Sequence, residues 1–161
     1  RLSVHTLRSS CDAILVGRKT VEVDNPSLTS HGVGPDPQVV ILDPSRKIDK
    51  QYSAFKKNTI HFTDELSNSK PEKNIQKILS KLYSLNIQSV LVEGGAKTLT
   101  GFIDSGSFDE IHAYFAPKLI GEGISLYNSK KKIADSLNLD IVKHETFDND
   151  IKITYYNKKA K

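Results

Sequence analysis

At 161 residues, 37% of them hydrophobic and 26% charged, the chain has the composition of a globular protein and the length of one domain; a domain of that size buries roughly two thirds of its unfolded surface without metals or disulfides. The formal net charge of +4 is modest, and its lysines cluster only as "KKK" at 130–132 and "KKAK" at 158–161, with no aromatic residues interleaved, which reads as solvated surface and argues against a nucleic-acid partner while leaving an anionic small molecule compatible. The single cysteine, Cys11, excludes an intrachain disulfide and a thiolate metal cluster, favours a reducing compartment and reads as a small core residue.

The chain begins at Arg1 and contains no methionine, so it is expected to be a piece of something longer. Residues 2–8, "LSVHTLR", carry spacings suited to the last turns of a helix. "DAILVG" at 12–17 is a short apolar run closed by glycine, expected as a buried strand, and "RKTVEVD" as a short helix ended by Asn25-Pro26. A loop rich in Gly and Pro runs through Pro37, then "QVVILD" at 38–43 and "TIHFT" at 59–63 read as strands. Residues 71–85 give the clearest helix, with proline at the start, an acid in the first turn and Ile75, Ile78, Leu79, Leu82 and Leu85 along one face. It leads into the apolar strand "SVLVEGG", a helix from about 96 to 105, a strand at 110–117, and two late strands, "LDIVKHETFD" and "DIKITYYN", joined by a tight turn near Asn149-Asp150. This order predicts a single α/β domain with a mostly parallel central sheet flanked by helices and an antiparallel C-terminal hairpin. No run reaches the roughly 18–20 apolar residues needed to cross a bilayer and no signal-peptide pattern opens the chain; the expected location is cytoplasmic, with no membrane partner.

Two stretches stand where α/β sheets place their ligands, beyond the carboxyl ends of strands. In "SVLVEGGAKTLTG", Glu93, Gly94 and Gly95 end an apolar strand. Paired glycines let a ligand approach the backbone, and the amides that open the next helix hold phosphate through hydrogen bonds and the helix dipole. Lys97 and Thr98 add side-chain donors. The competing reading is a plain strand-to-helix turn in which glycine acts only sterically. Glu93 needs a donor, because a carboxylate ending a buried strand otherwise costs several kcal/mol. In "TVEVDNPSLTSH", Thr20, Asp24, Asn25 and Thr29 crowd the end of the first strand, against the competing reading of an Asx-type turn. No metal-ligand pattern is present.

The ordered set "LRSSCDAILVGRKTVEVDNPSLT", "PQVVILDPSRKI" and "LVEGGAKTLTGFIDSGSFDEIHAYFAPKLIG" resembles the reductase domain of riboflavin biosynthesis, found in bacteria fused behind a zinc deaminase and elsewhere as a separate protein. The resemblance extends over roughly residues 1–128. It implies a dihydrofolate-reductase-like fold, NADPH as cofactor, and reduction of the ribosylamino group of 5-amino-6-(5-phosphoribosylamino)uracil to a ribitylamino group, through opening of the sugar to an imine at its first carbon. A homodimer is also implied. By position, the resemblance places Thr20 and Asp24 on the nicotinamide side, with Asp24 near the reacting centre. It places the phosphate cradle at Gly94, Gly95, Ala96, Lys97, Thr98, Leu99, Thr100 and Gly101, assigns substrate contacts to Arg8 and Leu28, and faces Glu93 toward the substrate. A guanidinium such as that of Arg8 grips phosphate through two parallel hydrogen bonds.

Three departures accompany the resemblance. His31 stands where the family usually has an arginine that helps bind the substrate phosphate; histidine does so only when protonated. Pro44 follows the aspartate of the third motif, which leaves Ser45 and Arg46 as candidate partners for the 2′-phosphate of NADPH. The family's first strand, a central one, is not among these residues. Two alternatives stay open: a reductase of the same fold acting on another small substrate such as a pterin, favoured by His31, and a non-catalytic nucleotide-binding module, favoured by the absent strand.

Overall fold

The computed structural model describes residues 2–56, 58–63, 66, 71–130, 132 and 136–158. The side chains of Pro71 and Glu72, the acid expected in the first turn of its helix, lie outside the described set, as do Lys131 and residues 159–161 of the basic clusters.

The five-residue run Ala13–Gly17 forms β1, the innermost pairing of the molecule, with parallel β2 (Gln38–Leu42) on one side and parallel β4 (Val90–Val92) on the other; β3 (Thr59–Phe62) extends the sheet beyond β2, so the order is β3-β2-β1-β4. Successive side chains of a strand point to opposite faces, and β1 divides accordingly. Ala13 and Leu15 join Val40, Phe62, Ile75, Ile78, Leu82 and Phe102 in one core layer, beneath α3 (Pro71–Ser84) and α4 (Ala96–Ser105). Ile14 and Val16 join Val21, Leu28, Val39, Ile41, Ile48 and Ala54 in the other, beneath α2 (Arg18–Asp24) and the long loops. Covering both faces is what a parallel sheet requires, and it explains why these strands read as unbroken apolar runs.

The expected helix face of α3 holds for Ile75, Ile78 and Leu82, which are buried, with Leu79 packed at the margin. Leu85 departs from it: the helix ends at Ser84, Asn86 takes a left-handed turn, and Leu85 is left 45% exposed. Cys11 is half-buried just before β1 and not in the core.

The second half of the sheet differs from a single continuous surface. β5 (Glu110–Phe115), β6 (Leu139–Phe147) and β7 (Asp150–Asn157) form a separate antiparallel sheet of order β5-β7-β6, with the β6–β7 turn at Asp148-Asn149 and a bulge between Ile141 and Lys143. β4 and β5 are therefore both edge strands, which is why the three residues of β4 are only half-buried where a buried strand was expected. α1 (Leu2–Ser9) touches both sheets: the Ser3 and Tyr114 hydroxyls are 2.9 Å apart at β5, and Arg8 reaches Glu93 just beyond β4. Among the described residues no helix is long and apolar enough to cross a membrane.

Candidate active site

The carboxyl ends of β1, β2 and β4 lie side by side, and the segments leaving them form one rim. After β4 the chain keeps pairing for one more residue, Glu93 N–H donating to Leu15 O at 2.9 Å, and then reaches Gly94. A Cβ at Gly94 would sit 3.2 Å from Gly17 N and 3.3 Å from Val16 Cα, so this glycine is there for close packing against β1. Gly95 is different. It is exposed, a Cβ there would meet only Thr20 Oγ1 at 3.7 Å, and it caps the start of α4. The steric and the ligand-facing readings of the glycine pair thus divide between its two members.

The Gly95 N–H donates to Thr20 Oγ1 at 3.1 Å, tying the rim to α2, and the Thr98 N–H returns to Gly95 O at 2.9 Å. The amides of Ala96 and Lys97 are in the first helical turn, where the helix offers no acceptor. With the positive end of the α4 dipole behind them, these two amides and the exposed Lys97 side chain suit an anion. Asp24 lies one turn beyond Thr20 and on the same face of α2, at its exposed C-terminal end.

Thr100 and Gly101 of the expected cradle make contacts within the chain. Thr100 Oγ1 accepts the Asn128 N–H, holding the loop after β5. A Cβ at Gly101 would approach Ile75 Cδ1 at 3.3 Å, so that glycine lets α4 seat against α3; at 1.5 Å per residue it lies about 7 Å along the helix from Ala96. Leu99 is half-buried, next to Thr98. Of the expected cradle, Gly95 and Lys97 are exposed at the rim, and the Ala96 and Lys97 amides are the ones that the helix leaves without an acceptor.

Arg8 and Glu93 form a bidentate pair, Nε to Oε1 at 2.9 Å and Nη2 to Oε2 at 2.6 Å, with side chains 13% and 25% exposed, while Nη1 donates to Thr29 O at 3.0 Å. This is the donor that Glu93 required, and its bond raises the pKa of Arg8. It also changes the expectation for Arg8: the two parallel donors foreseen for a phosphate are engaged by a carboxylate within the chain. Leu28 adopts a positive φ of 52° and is 2% exposed, packed within the core layer of Ile14, Val16 and Val21. His31, exposed and also at positive φ, lies against His5 of α1, the ring planes tilted by 46°.

At the end of β2, Asp43 is fully buried. It accepts the Ile48 N–H at 3.0 Å and the Ser45 hydroxyl at 2.8 Å, with Arg18 Nε at 3.4 Å and His61 Nε2 at 3.6 Å. Burial pushes its pKa up, but these partners together bring it below the usual carboxylate value. Ser45 therefore donates inward and does not have its proton for an anion, while Arg46 sits on the same turn at a φ of 50°. Arg18 and His5 are the site neighbours that the sequence reading missed. Arg18 was legible as the residue directly after a buried strand; His5, on a helix of mixed polarity, carried no signal. Two shallow depressions, one lined by Lys73, Gln76, Asp104 and Ser105 and the other by Lys50, Phe55, Asn58, Thr59 and His61, include no residue of this rim.

Comparison with known proteins matches the RibD C-terminal domain to residues 1–153. The riboflavin biosynthesis protein RibD of Aquifex aeolicus is 35% identical over 175 residues, covering 96% of this chain and 49% of its own length. A crystal structure of a diaminohydroxyphosphoribosylaminopyrimidine deaminase/5-amino-6-(5-phosphoribosylamino)uracil reductase from Thermotoga maritima superposes with a TM-score of 0.84 at 30% identity, over 98% of this chain and 48% of that one. Dihydrofolate reductase from Enterococcus faecalis superposes at 0.57 with 12% identity over 97% of this chain and 81% of that one, a likeness of fold alone. The fold is dihydrofolate-reductase-like, and the chain spans half or less of the length of the first RibD proteins it matches.

Proposed function

Since the chain belongs to the RibD C-terminal domain family, we propose that it is the NADPH-dependent reductase of riboflavin biosynthesis, converting the ribosylamino group of 5-amino-6-(5-phosphoribosylamino)uracil to a ribitylamino group. The observation that carries this reading is the rim itself: the bare first-turn amides of α4, at Ala96 and Lys97, follow three and four residues after a carboxylate, Glu93, held in a bidentate pair.

The residues present suit such a cofactor, because exposed Gly95 leaves the backbone open beside those amides. NADPH, when bound, supplies the hydride. The Ala96 and Lys97 N–H groups and the Lys97 ammonium hold the anionic bridge. Thr20 and Asp24 line the nicotinamide side from α2, and Ser45 and Arg46 at the end of β2 are the candidates for the 2′-phosphate, Ser45 only if its hydroxyl leaves Asp43. Glu93, fixed in orientation by Arg8, keeps an accepting lone pair on each oxygen for a sugar hydroxyl of the substrate. The contribution of such a site is to hold two ligands face to face.

The test is to add NADPH and the phosphorylated ribosylaminopyrimidine to the full-length protein and follow loss of reduced-nicotinamide absorbance. Oxidation at background rate overturns the proposal. Glu93→Gln is expected to lower turnover while leaving NADPH affinity nearly intact; equal damage to both means that Glu93 is on the wrong side of the site. A dephosphorylated substrate turned over equally well favours a pterin-like substrate instead.

A second reading rests on the open edges of β4 and β5: these residues alone are a nucleotide-binding module, and the catalytic unit includes a further strand. We infer that such a strand pairs with both edges beneath α1 and joins the two sheets into one. Slowed amide exchange at Val90–Val92 and Glu110–Phe115 in a longer chain, relative to this one, checks it. A deaminase domain adjoining this one, a homodimer and a cytoplasmic location belong to the same proposal; sedimentation of the full-length protein tests the dimer.

A further inference from the structure

We propose that Asp36 is a positioning residue for Glu93, acting through one loop peptide and the Arg8 guanidinium. The inference rests on the reading above that Glu93 faces the substrate. Thr29 and Ser30 belong to neither helix nor strand, and the peptide group that joins them is held at both ends. The Ser30 N–H donates to Asp36 Oδ1 at 2.7 Å, and the Thr29 carbonyl oxygen accepts from Arg8 Nη1 at 3.0 Å. Beyond Arg8 the chain of bonds continues through Nε and Nη2 to the two oxygens of Glu93, at 2.9 and 2.6 Å. A carboxylate, a peptide, a guanidinium and a second carboxylate thus follow one another, with every link a hydrogen bond to or from a charged group.

The bidentate pair alone does not place Glu93. It fixes the guanidinium and the carboxylate relative to each other, while both stand at the ends of flexible side chains, one on α1 and one just beyond β4. The Nη1 bond to Thr29 O is the third point, which stops the pair from turning as a unit, and it holds only as well as the Thr29–Ser30 peptide is itself held. A loop peptide is a rigid plane on two soft dihedrals, so its direction is set by what its N–H and C=O engage. Asp36 supplies the N–H side. A hydrogen bond to a carboxylate is roughly twice as strong as a neutral one, and it polarises the peptide so that the carbonyl oxygen becomes a better acceptor for Arg8.

The loop keeps Asp36 in reach of that peptide. The fully buried Ser30 hydroxyl donates to Gly34 O at 2.6 Å, with Asp36 Oδ1 also at 3.0 Å, which closes residues 30–36 on themselves. A Cβ at Gly34 would stand 2.8 Å from Ser9 Cβ, so the loop is seated on the residue that follows Arg8 in α1. Leu28, within the core, anchors the same loop at its other end. Asp36 itself is exposed, so its replacement leaves the core closed and loosens the orientation of Glu93.

The experiment compares Asp36→Ala and Asp36→Asn with wild type in the full-length protein. The Arg8 Nε–H, followed by NMR, is expected to exchange with solvent about tenfold faster in Asp36→Ala and at close to the wild-type rate in Asp36→Asn, which keeps the accepting oxygen. Since a misplacement of about 1 Å costs on the order of 100-fold, Asp36→Ala is expected to lower kcat about tenfold, with KM for NADPH within about twofold of wild type, and Asp36→Asn to recover most of the loss. In an Arg8→Met background Asp36→Ala is expected to lower kcat no further, because the path through the guanidinium is gone; a merely structural residue gives the same fractional loss in both backgrounds. Unchanged exchange of the Arg8 Nε–H in Asp36→Ala, equal damage in Asp36→Asn, or equal kcat losses with and without Arg8 overturns the inference. Absent turnover in the wild type counts against the proposed function instead, and the Nε–H exchange then decides for or against the chain of bonds.

Discussion

The two glycines that end β4 are adjacent in sequence and opposite in what a methyl group would meet, so alanine at each separates packing from ligand contact. In Gly94→Ala the new Cβ lies 3.2 Å from Gly17 N and 3.3 Å from Val16 Cα, both backbone atoms of the innermost strand. Ordinary carbon contacts are about 3.5–4.0 Å, and the neighbouring Glu93 N–H to Leu15 O bond resists any slide of β4 away from β1. Overpacking of this kind costs about 1–3 kcal/mol, and the loss of unfolded-state freedom returns about 0.4–1 kcal/mol. The net destabilisation is about 1–2 kcal/mol, which for a domain of this size lowers Tm by roughly 2–8 °C. In Gly95→Ala the Cβ meets only Thr20 Oγ1, at 3.7 Å; Tm is expected to stay within about 1 °C of wild type, while on the proposed reading the methyl group stands beside the amides that hold the cofactor's bridge, and KM for NADPH is expected to rise. Thermal unfolding and nicotinamide-oxidation kinetics on the same preparations read both effects. The reasoning fails if Gly94→Ala melts with the wild type, or if Gly95→Ala binds NADPH unchanged.

Breaking the Arg8–Glu93 pair by Arg8→Met leaves a carboxylate whose side chain is 25% exposed without its partner; discounted for that exposure, the loss is about 1–2 kcal/mol in chemical denaturation, and adding Glu93→Gln recovers part of it. Asp43→Asn removes a fully buried charge facing Arg18 and His61 and is expected to cost about 2–3 kcal/mol. Because the folded-state pKa of Asp43 is lowered, its contribution is present above the unfolded value of about 3.9 and is lost as pH falls through the folded one; the acid limb of a stability–pH curve is therefore shallower in Asp43→Asn. Thr20→Val removes the acceptor of the exposed Gly95 N–H and lowers stability by less than about 1 kcal/mol, measured by the same unfolding curves.

Elements held by unbroken apolar runs, such as Ala13–Gly17 and Gln38–Leu42, were legible because burial on both faces leaves a plain mark on composition. So was the amphipathic α3, up to the point where Asn86 turns the chain and strands Leu85 outside. The division of the strands into two sheets was not legible, since pairing is a long-range property and β4 and β5 look locally like any other strands. In the site, the rim at Glu93–Gly95 was foreseen from the glycine pair, but which glycine packs and which is bared depends on how near Gly17 lies, a tertiary distance. Arg8 and Glu93 are separated by 85 residues; each was singled out for a ligand, and nothing local announces that they satisfy each other. The Leu28 side chain is drawn into the core by the left-handed turn of its own backbone, which an Asn-Pro-Ser loop does not reveal.

Among the described residues β4 and β5 each leave one edge unpaired, with a consequence for handling the molecule. A row of unpaired backbone donors and acceptors is a template for any extended peptide, including one from a second molecule. Concentrated preparations of these 161 residues alone are thus prone to stack edge to edge, and a short soluble peptide of high β-propensity that occupies the slot should delay the onset of turbidity.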